Sequence, residues 1–159
     1  MTLEPKIALR LQFLDRVVRK ECRHLVTTDQ RLFGGLLTLE QVSRLEEDPD
    51  LAERVEAFVS RFGRLQDTVG DKLLPLLLAA LGEKPSAAID NLDRAEHLGL
   101  LKSADEWMTM RNLRNQMVHE YVEDPVVLTS ALQTGHAFVS ALIATANNMI
   151  AEIERRGWA

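Results

Sequence analysis

Residues 111 to 121 read RNLRNQMVHEY, with two arginines, two asparagines, a histidine and a tyrosine set into what otherwise reads as a core helix. On a helix that turns about 100° per residue, Asn112, Asn115 and His119 share one face. Arg111, Arg114 and Tyr121 fall together on a neighbouring face. Met110, Leu113 and Met117 form an apolar arc, with Trp107 and Val118 further round, so the polar groups border the buried stripe. His119 is the member of this set that exchanges a proton near neutral pH, as a general base or acid requires. Arg114 offers a permanent planar donor fork suited to phosphate oxygens and to the charge that builds up on a phosphorane. Arg111, Asn112 and Asn115 are candidate supporting contacts to phosphate or RNA. RNA carries its own nucleophile in the 2′-OH, so a base and a cation together suffice to cleave it without a metal or another cofactor.

One geometric constraint shapes that reading. Arg114 and His119 are five residues apart, hence roughly 140° apart around a straight helix. Either the helix distorts before Pro125, or the site is completed by a second copy across a twofold axis. The second option predicts a homodimer with this helix at its interface. A purely structural alternative has Arg114 and Asn115 pairing with bundle carboxylates, His119 capping a helix end and Tyr121 packing at the edge.

The elements that must position these residues are helical. Pro5 opens a helix that runs to the high twenties, and Gly34-Gly35 breaks the chain soon after. Thr38 and Gln41 make a capping box. Asp48-Pro49 is a second start signal, followed by a stripe of Leu51, Val55, Phe58, Phe62, Leu65, Val69 and Leu76. Pro75 predicts a kink and Gly82 a stop. Ser86 to His97 reads as a shorter helix ended by Gly99. Ser103 and Glu106 cap the helix bearing the polar motif, and Asp124-Pro125 starts the last helix, to about Arg156. Its stripe is Leu128, Ala131, Gly135, Phe138, Leu142, Met149 and Ile153. No stretch alternates with period two. The fold class expected is all-α: one domain, residues 1–159, an antiparallel up-and-down helical bundle of four main helices plus one or two short ones.

Composition bounds the function. The net charge is −5, which argues against a general nucleic-acid binder and points to a specific RNA such as a tRNA. Residues 1–31 are nonetheless basic, with Lys6, Arg10, Arg16, Arg19, Lys20, Arg23 and Arg31 against four acids, whereas residues 40–56 are acidic. Cys22 is the one cysteine, so no internal disulfide forms, as fits a reducing compartment. The N-terminal residues show no secretory signal. The longest apolar run, Leu73 to Leu81, is too short to span a bilayer. The expectation is a cytoplasmic protein without a membrane partner. His24, His97 and His136 have no metal-ligand spacing, and Asp67 and Asp71, one turn apart, read as a solvated face more readily than as metal ligands.

The segment RNQMVHEY, from Arg114 to Tyr121, resembles the R-x4-H-x-Y motif of HEPN-domain proteins, in particular the HepT-type toxins encoded beside minimal nucleotidyltransferase antitoxins. Phe58 to Leu78 is similar in character to a long bundle helix of those proteins. The resemblance implies an all-helical homodimer that cleaves RNA without metal, with Arg114 and His119 as the catalytic pair. It also implies that a partner nucleotidyltransferase adds AMP to Tyr121, silencing the toxin by steric block and charge repulsion. Two other readings stay open: a non-catalytic subunit that binds the nucleotidyltransferase or its substrate, and a plain dimeric interaction module.

Overall fold

The computed structural model describes residues 2–120 and 123–159, with Glu120 described in its backbone alone. Four long helical stretches and two short helices make up the described chain: α1 (Pro5–Leu32), α2 (Leu39–Ser43), α3 (Pro49–Asp67) continuing into α4 (Leu74–Ala80), α5 (Ala88–His97), α6 (Ala104–Glu120) and α7 (Pro125–Arg155). The expected all-α bundle is what forms.

The starts and stops follow from local chemistry. Both arms of the Thr38–Gln41 capping box are present, and the Asp48 carboxylate accepts from the Leu51 amide at 3.1 Å. Asp124 accepts from the amides of Val126 and Val127. At the end of α4 the Glu83 amide reaches back to the Leu78 carbonyl at 2.9 Å, a closure that Gly82 permits by taking φ +81°. The short helix α5 begins later than its sequence suggests. Asn91 accepts from the Ser86 amide and donates to the Ser86 carbonyl, which holds Ser86 outside the helix.

Between α3 and α4 the chain passes through a π-helical turn, Thr68–Leu73. There the Leu74 amide donates to the Val69 carbonyl, five residues back. Pro75 has no amide to donate and its ring crowds the preceding turn, so a wide turn ahead of it relieves both problems without breaking the helix. The extra residue also rotates the apolar stripe by one position. Leu73, Leu74, Leu77 and Leu78 are buried, while Leu76, expected on the stripe, is only partly covered.

Cross-helix pairs fix the directions. The Arg61 guanidinium bonds to the His24 carbonyl and the Thr28 hydroxyl, and further along α1's neighbour the Thr68 hydroxyl donates to Glu21 at 3.2 Å, so α1 and α3 run antiparallel. Arg19 pairs with Glu154 and Asp29 with His136, which sets α7 antiparallel to α1. Around the core, α1 and α6 stand at opposite corners, each packed against both α3 and α7. Phe58, Phe62, Leu65, Trp107, Met117, Leu132 and Leu142 meet at the centre. By length and composition α7 could cross a membrane. Its stripe of Leu128, Ala131, Leu132, Gly135, Leu142, Met149 and Ile153 is spent on the bundle core instead.

Glu21 is a polar exception at the α1–π-turn contact. One carboxylate oxygen accepts from Thr68, and the other is buried without a hydrogen-bond partner among the described residues. Burial raises its pKa above the ordinary glutamate value, against the opposing pull of the Thr68 hydroxyl and of Arg64 and Lys72. A raised folded-state pKa means stability that is fully present below the ordinary value and is lost as pH rises through the folded one. Glu21→Gln should therefore unfold at higher urea than the parent at pH 7, and the difference should vanish below the ordinary glutamate range. Urea midpoints measured across that pH range check the sign.

Candidate functional site

The motif helix is seated on α3 by two glycines. A Cβ on Gly70 would lie 3.0 Å from Cζ2 of Trp107, and one on Gly63 would lie 2.9 Å from Nε of Arg114. Seven residues apart, these glycines open a shallow channel along α3 and the π turn in which α6 lies. Trp107 is buried in it, and the Gln66 amide donates to the Trp107 carbonyl at 3.4 Å. Met110 and Met117 continue the buried arc, with Met117 against Gly135 of α7. Val118, placed beside this arc by its position in the sequence, is exposed.

The start of α6 is held by Ser103, whose Oγ accepts from the Glu106 amide at 3.0 Å, and by Glu96 of α5, whose carboxylate accepts from the Ala104 amide at 2.7 Å. From there α6 remains α-helical through Glu120. The distortion that would swing Arg114 toward His119 is absent from the described part of the helix.

The two arginines lie over α3. Arg114 Nη2 donates to Asp67 Oδ2 at 3.0 Å, with the stem of the arginine resting across Gly63. Arg111 Nη1 stands 3.6 Å from Asp71 Oδ1. Asp67 and Asp71, the pair that reads as a solvated face in the sequence, are thus the counter-ions of the motif arginines. Their placement one behind the other opposite α6 follows from the antiparallel run of the two helices.

The remaining motif residues turn outward. Asn112, Asn115 and His119 are exposed, and none forms a hydrogen bond to another described residue. The arrangement brings Arg111 and Arg114 together with Asp71 and Asp67, and leaves His119 on its own face. Tyr121 lies outside the described residues. Among the described residues no cluster of His, Cys, Asp and Glu could hold a metal ion.

The other histidines occupy structural positions. His136 stacks on Phe33 with ring centroids 4.2 Å apart, and its Nδ1 lies 2.6 Å from Asp29 Oδ1. His24 is exposed on α1, and His97 closes α5, where its position suits the helix dipole. Gly63 and Gly70 carry no signal that marks them as special when α3 is read only for its apolar stripe. Their seven-residue spacing on a helix with few other breaks is the feature that could have found them.

Two substitutions test this seam. Gly70→Ala places a methyl against the buried indole, which has nowhere to move, and should cost about 1–3 kcal/mol by overpacking, less the roughly 0.5–1 kcal/mol gained in helix propensity. Asp67→Ala should cost under about 1 kcal/mol, because Arg114 and Asp67 keep 31% and 42% of their side-chain surface exposed. Urea unfolding of both variants distinguishes a packing seam from an electrostatic one. A stabilised Gly70→Ala would rule out the close approach.

No family model, curated protein or solved structure matches the chain.

Proposed function

We propose that the chain is a HEPN-type toxin, a metal-independent endoribonuclease that works as a homodimer and is silenced when a nucleotidyltransferase adds AMP to Tyr121. The observation that carries this reading is the edge of α6. His119, Asn115 and Asn112 stand exposed in one row, and beside them Arg114 is held by Asp67 with 31% of its side-chain surface open to solvent.

The chemistry follows from those groups. His119 takes the proton of an RNA 2′-OH as the oxygen attacks the adjacent phosphorus. The bond from phosphorus to the 5′-oxygen breaks, leaving a 2′,3′-cyclic phosphate on one fragment, and the departing 5′-oxygen takes up a proton. Arg114 neutralises the extra charge on the phosphorane. The Arg114–Asp67 pair is a surface interaction of small net value, so a phosphate can take over the guanidinium. Asp67 meanwhile keeps the arginine in an extended pose across Gly63, a form of preorganisation.

The straightness of α6 supports the dimer. With roughly 140° between Arg114 and His119 on a regular helix, one protomer does not aim both at a single phosphate, and a second α6 across a twofold axis supplies the missing partner. RNA of defined shape, such as a tRNA, is the substrate class that suits an acidic protein whose motif edge carries so few cations.

A second reading has its own observation. Both motif arginines are already paired with carboxylates, as expected of a non-catalytic subunit that uses α6 to bind a nucleotidyltransferase or to hold a dimer. Cleavage of total tRNA in excess EDTA separates the two. Wild-type protein, confirmed free of AMP by intact mass, should cleave. His119→Ala and Arg114→Ala should each lose at least about a hundredfold in rate with dimer mass unchanged, and His119→Ala, whose side chain is exposed, should keep its melting temperature. Absence of cleavage by the unmodified wild type would overturn the nuclease reading in favour of the binding subunit.

A further inference from the structure

The solvent face of α1 is a single-sign surface on an acidic protein. Its cations are Lys6, Arg10, Arg16, Lys20, Arg23 and Arg31. The helix's interior acids are turned away and engaged: Asp15 binds Arg19, Glu21 accepts from Thr68 and Asp29 contacts His136. Lys6, Arg10, Arg16, Lys20 and Arg23 therefore form a basic band, in a chain whose net charge is −5, while Arg31 lies beside Asp50 and Glu53 of α3.

The band has an apolar ridge within it. Leu9 is 66% exposed and Phe13 46%, with Val17 one turn further on. The Arg10 guanidinium sits 5.4 Å from the centre of the Phe13 ring. Phe13, Val17, Arg16, Lys20 and Arg23 line a shallow trough on this face. A second trough, lined by Arg23, Val26, Thr27, Ile143 and Asn147, extends it into the groove between α1 and α7.

We propose that this face of α1 is a docking surface for an acidic amphipathic helix of a partner protein. Such a helix would lay its apolar stripe along Leu9, Phe13 and Val17 and set its carboxylates against Arg16, Lys20 and Arg23. Charge complementarity selects an acidic partner, and the aliphatic ridge selects a protein over a nucleic acid. Phosphates would be served by the cations and a base could stack on Phe13, but bases do not cover the aliphatic Leu9 and Val17 as the leucines of a helix do. The chain's own acidic start of α3 does not fit the role, since Asp50, Glu53 and Glu56 are exposed there without an exposed large apolar side chain among them. The surface is distinct from the motif edge, because α1 and α6 occupy opposite corners of the bundle. A partner bound here would leave α6 free.

The test uses the full chain and a fluorescein-labelled synthetic peptide whose leucines and glutamates follow helical spacing, read by anisotropy. A scrambled peptide of the same composition, a uridine 20-mer and vesicles containing anionic phosphatidylserine serve as the competing probes. The peptide should bind more tightly than its scrambled form. The triple variant Arg16→Glu, Lys20→Glu, Arg23→Glu should weaken it at least about tenfold. The double variant Leu9→Ser, Phe13→Ser should weaken it to a similar degree while its circular dichroism stays helical. Peptide binding no tighter than that of the scrambled control overturns the proposal. So does a preference for the uridine oligomer or the vesicles. Loss of binding on charge reversal with no effect of the Leu9 and Phe13 changes also overturns it, by reducing the surface to a nonspecific polyanion site.

Discussion

The contact on which the arrangement depends is the close approach of α6 to α3. It is made possible by the absence of a side chain at Gly63 and Gly70. With an indole in the space over Gly70 and an arginine stem over Gly63, the two helices share one seam with a buried apolar part and ion pairs at its surface. The indole fixes the height and rotation of α6, since Trp107 is buried and cannot be displaced cheaply. That rotation then sets where Arg114 and Arg111 can reach. Which residues of the motif edge face water and which face α3 follows from this rotation.

The π turn belongs to the same arrangement. It lies between Asp67 and Leu74, packs against α1 and α5, and meets Trp107 and Arg111 of α6 through Gly70 and Asp71. By adding a residue to one turn it lets the stripe of α3 and that of α4 both face the core, although Pro75 interrupts the regular hydrogen-bond ladder. Asp71 and Gly70 lie inside this wide turn, so the position of the Arg111 counter-ion and the room for Trp107 both derive from how the backbone accommodates one proline. Half-buried Glu21 sits against the same turn, and the desolvation of its carboxylate opposes stability at neutral pH. The long helix thus trades regularity for the ability to contact α1, α5, α6 and α7.

Charge is distributed over this frame by face. The acids of α1 point inward to Arg19, Thr68 and His136, and its cations point outward. On α6 the order is reversed: the cations are turned back onto α3 carboxylates and neutral polar groups are presented to solvent. Net charge describes neither surface. A protein at −5 carries one helix face whose exposed charges are basic and one nearly neutral polar edge at opposite corners of the same bundle.

Helix boundaries were legible in the sequence because caps, prolines and glycines act locally: Thr38 with Gln41, Asp48 with Pro49 and Asp124 with Pro125 each satisfy amides within a few residues of themselves. The stripes of α3 and α7 were legible for the same reason, since burial follows helical periodicity until a π turn shifts it, as at Leu76. The sequence also determined which residues of the motif share a face, because that needs only the pitch of a helix. What it could not determine was what those faces meet. That Asp67 and Asp71 answer Arg114 and Arg111, that His119 stands apart from Arg114, and that the basic face of α1 lies across the bundle from the motif are properties of helix rotation and order around the core. Those are decided by how side chains from distant segments interlock, Trp107 over Gly70 above all, and pairing between positions some forty residues apart leaves no periodic trace in the chain.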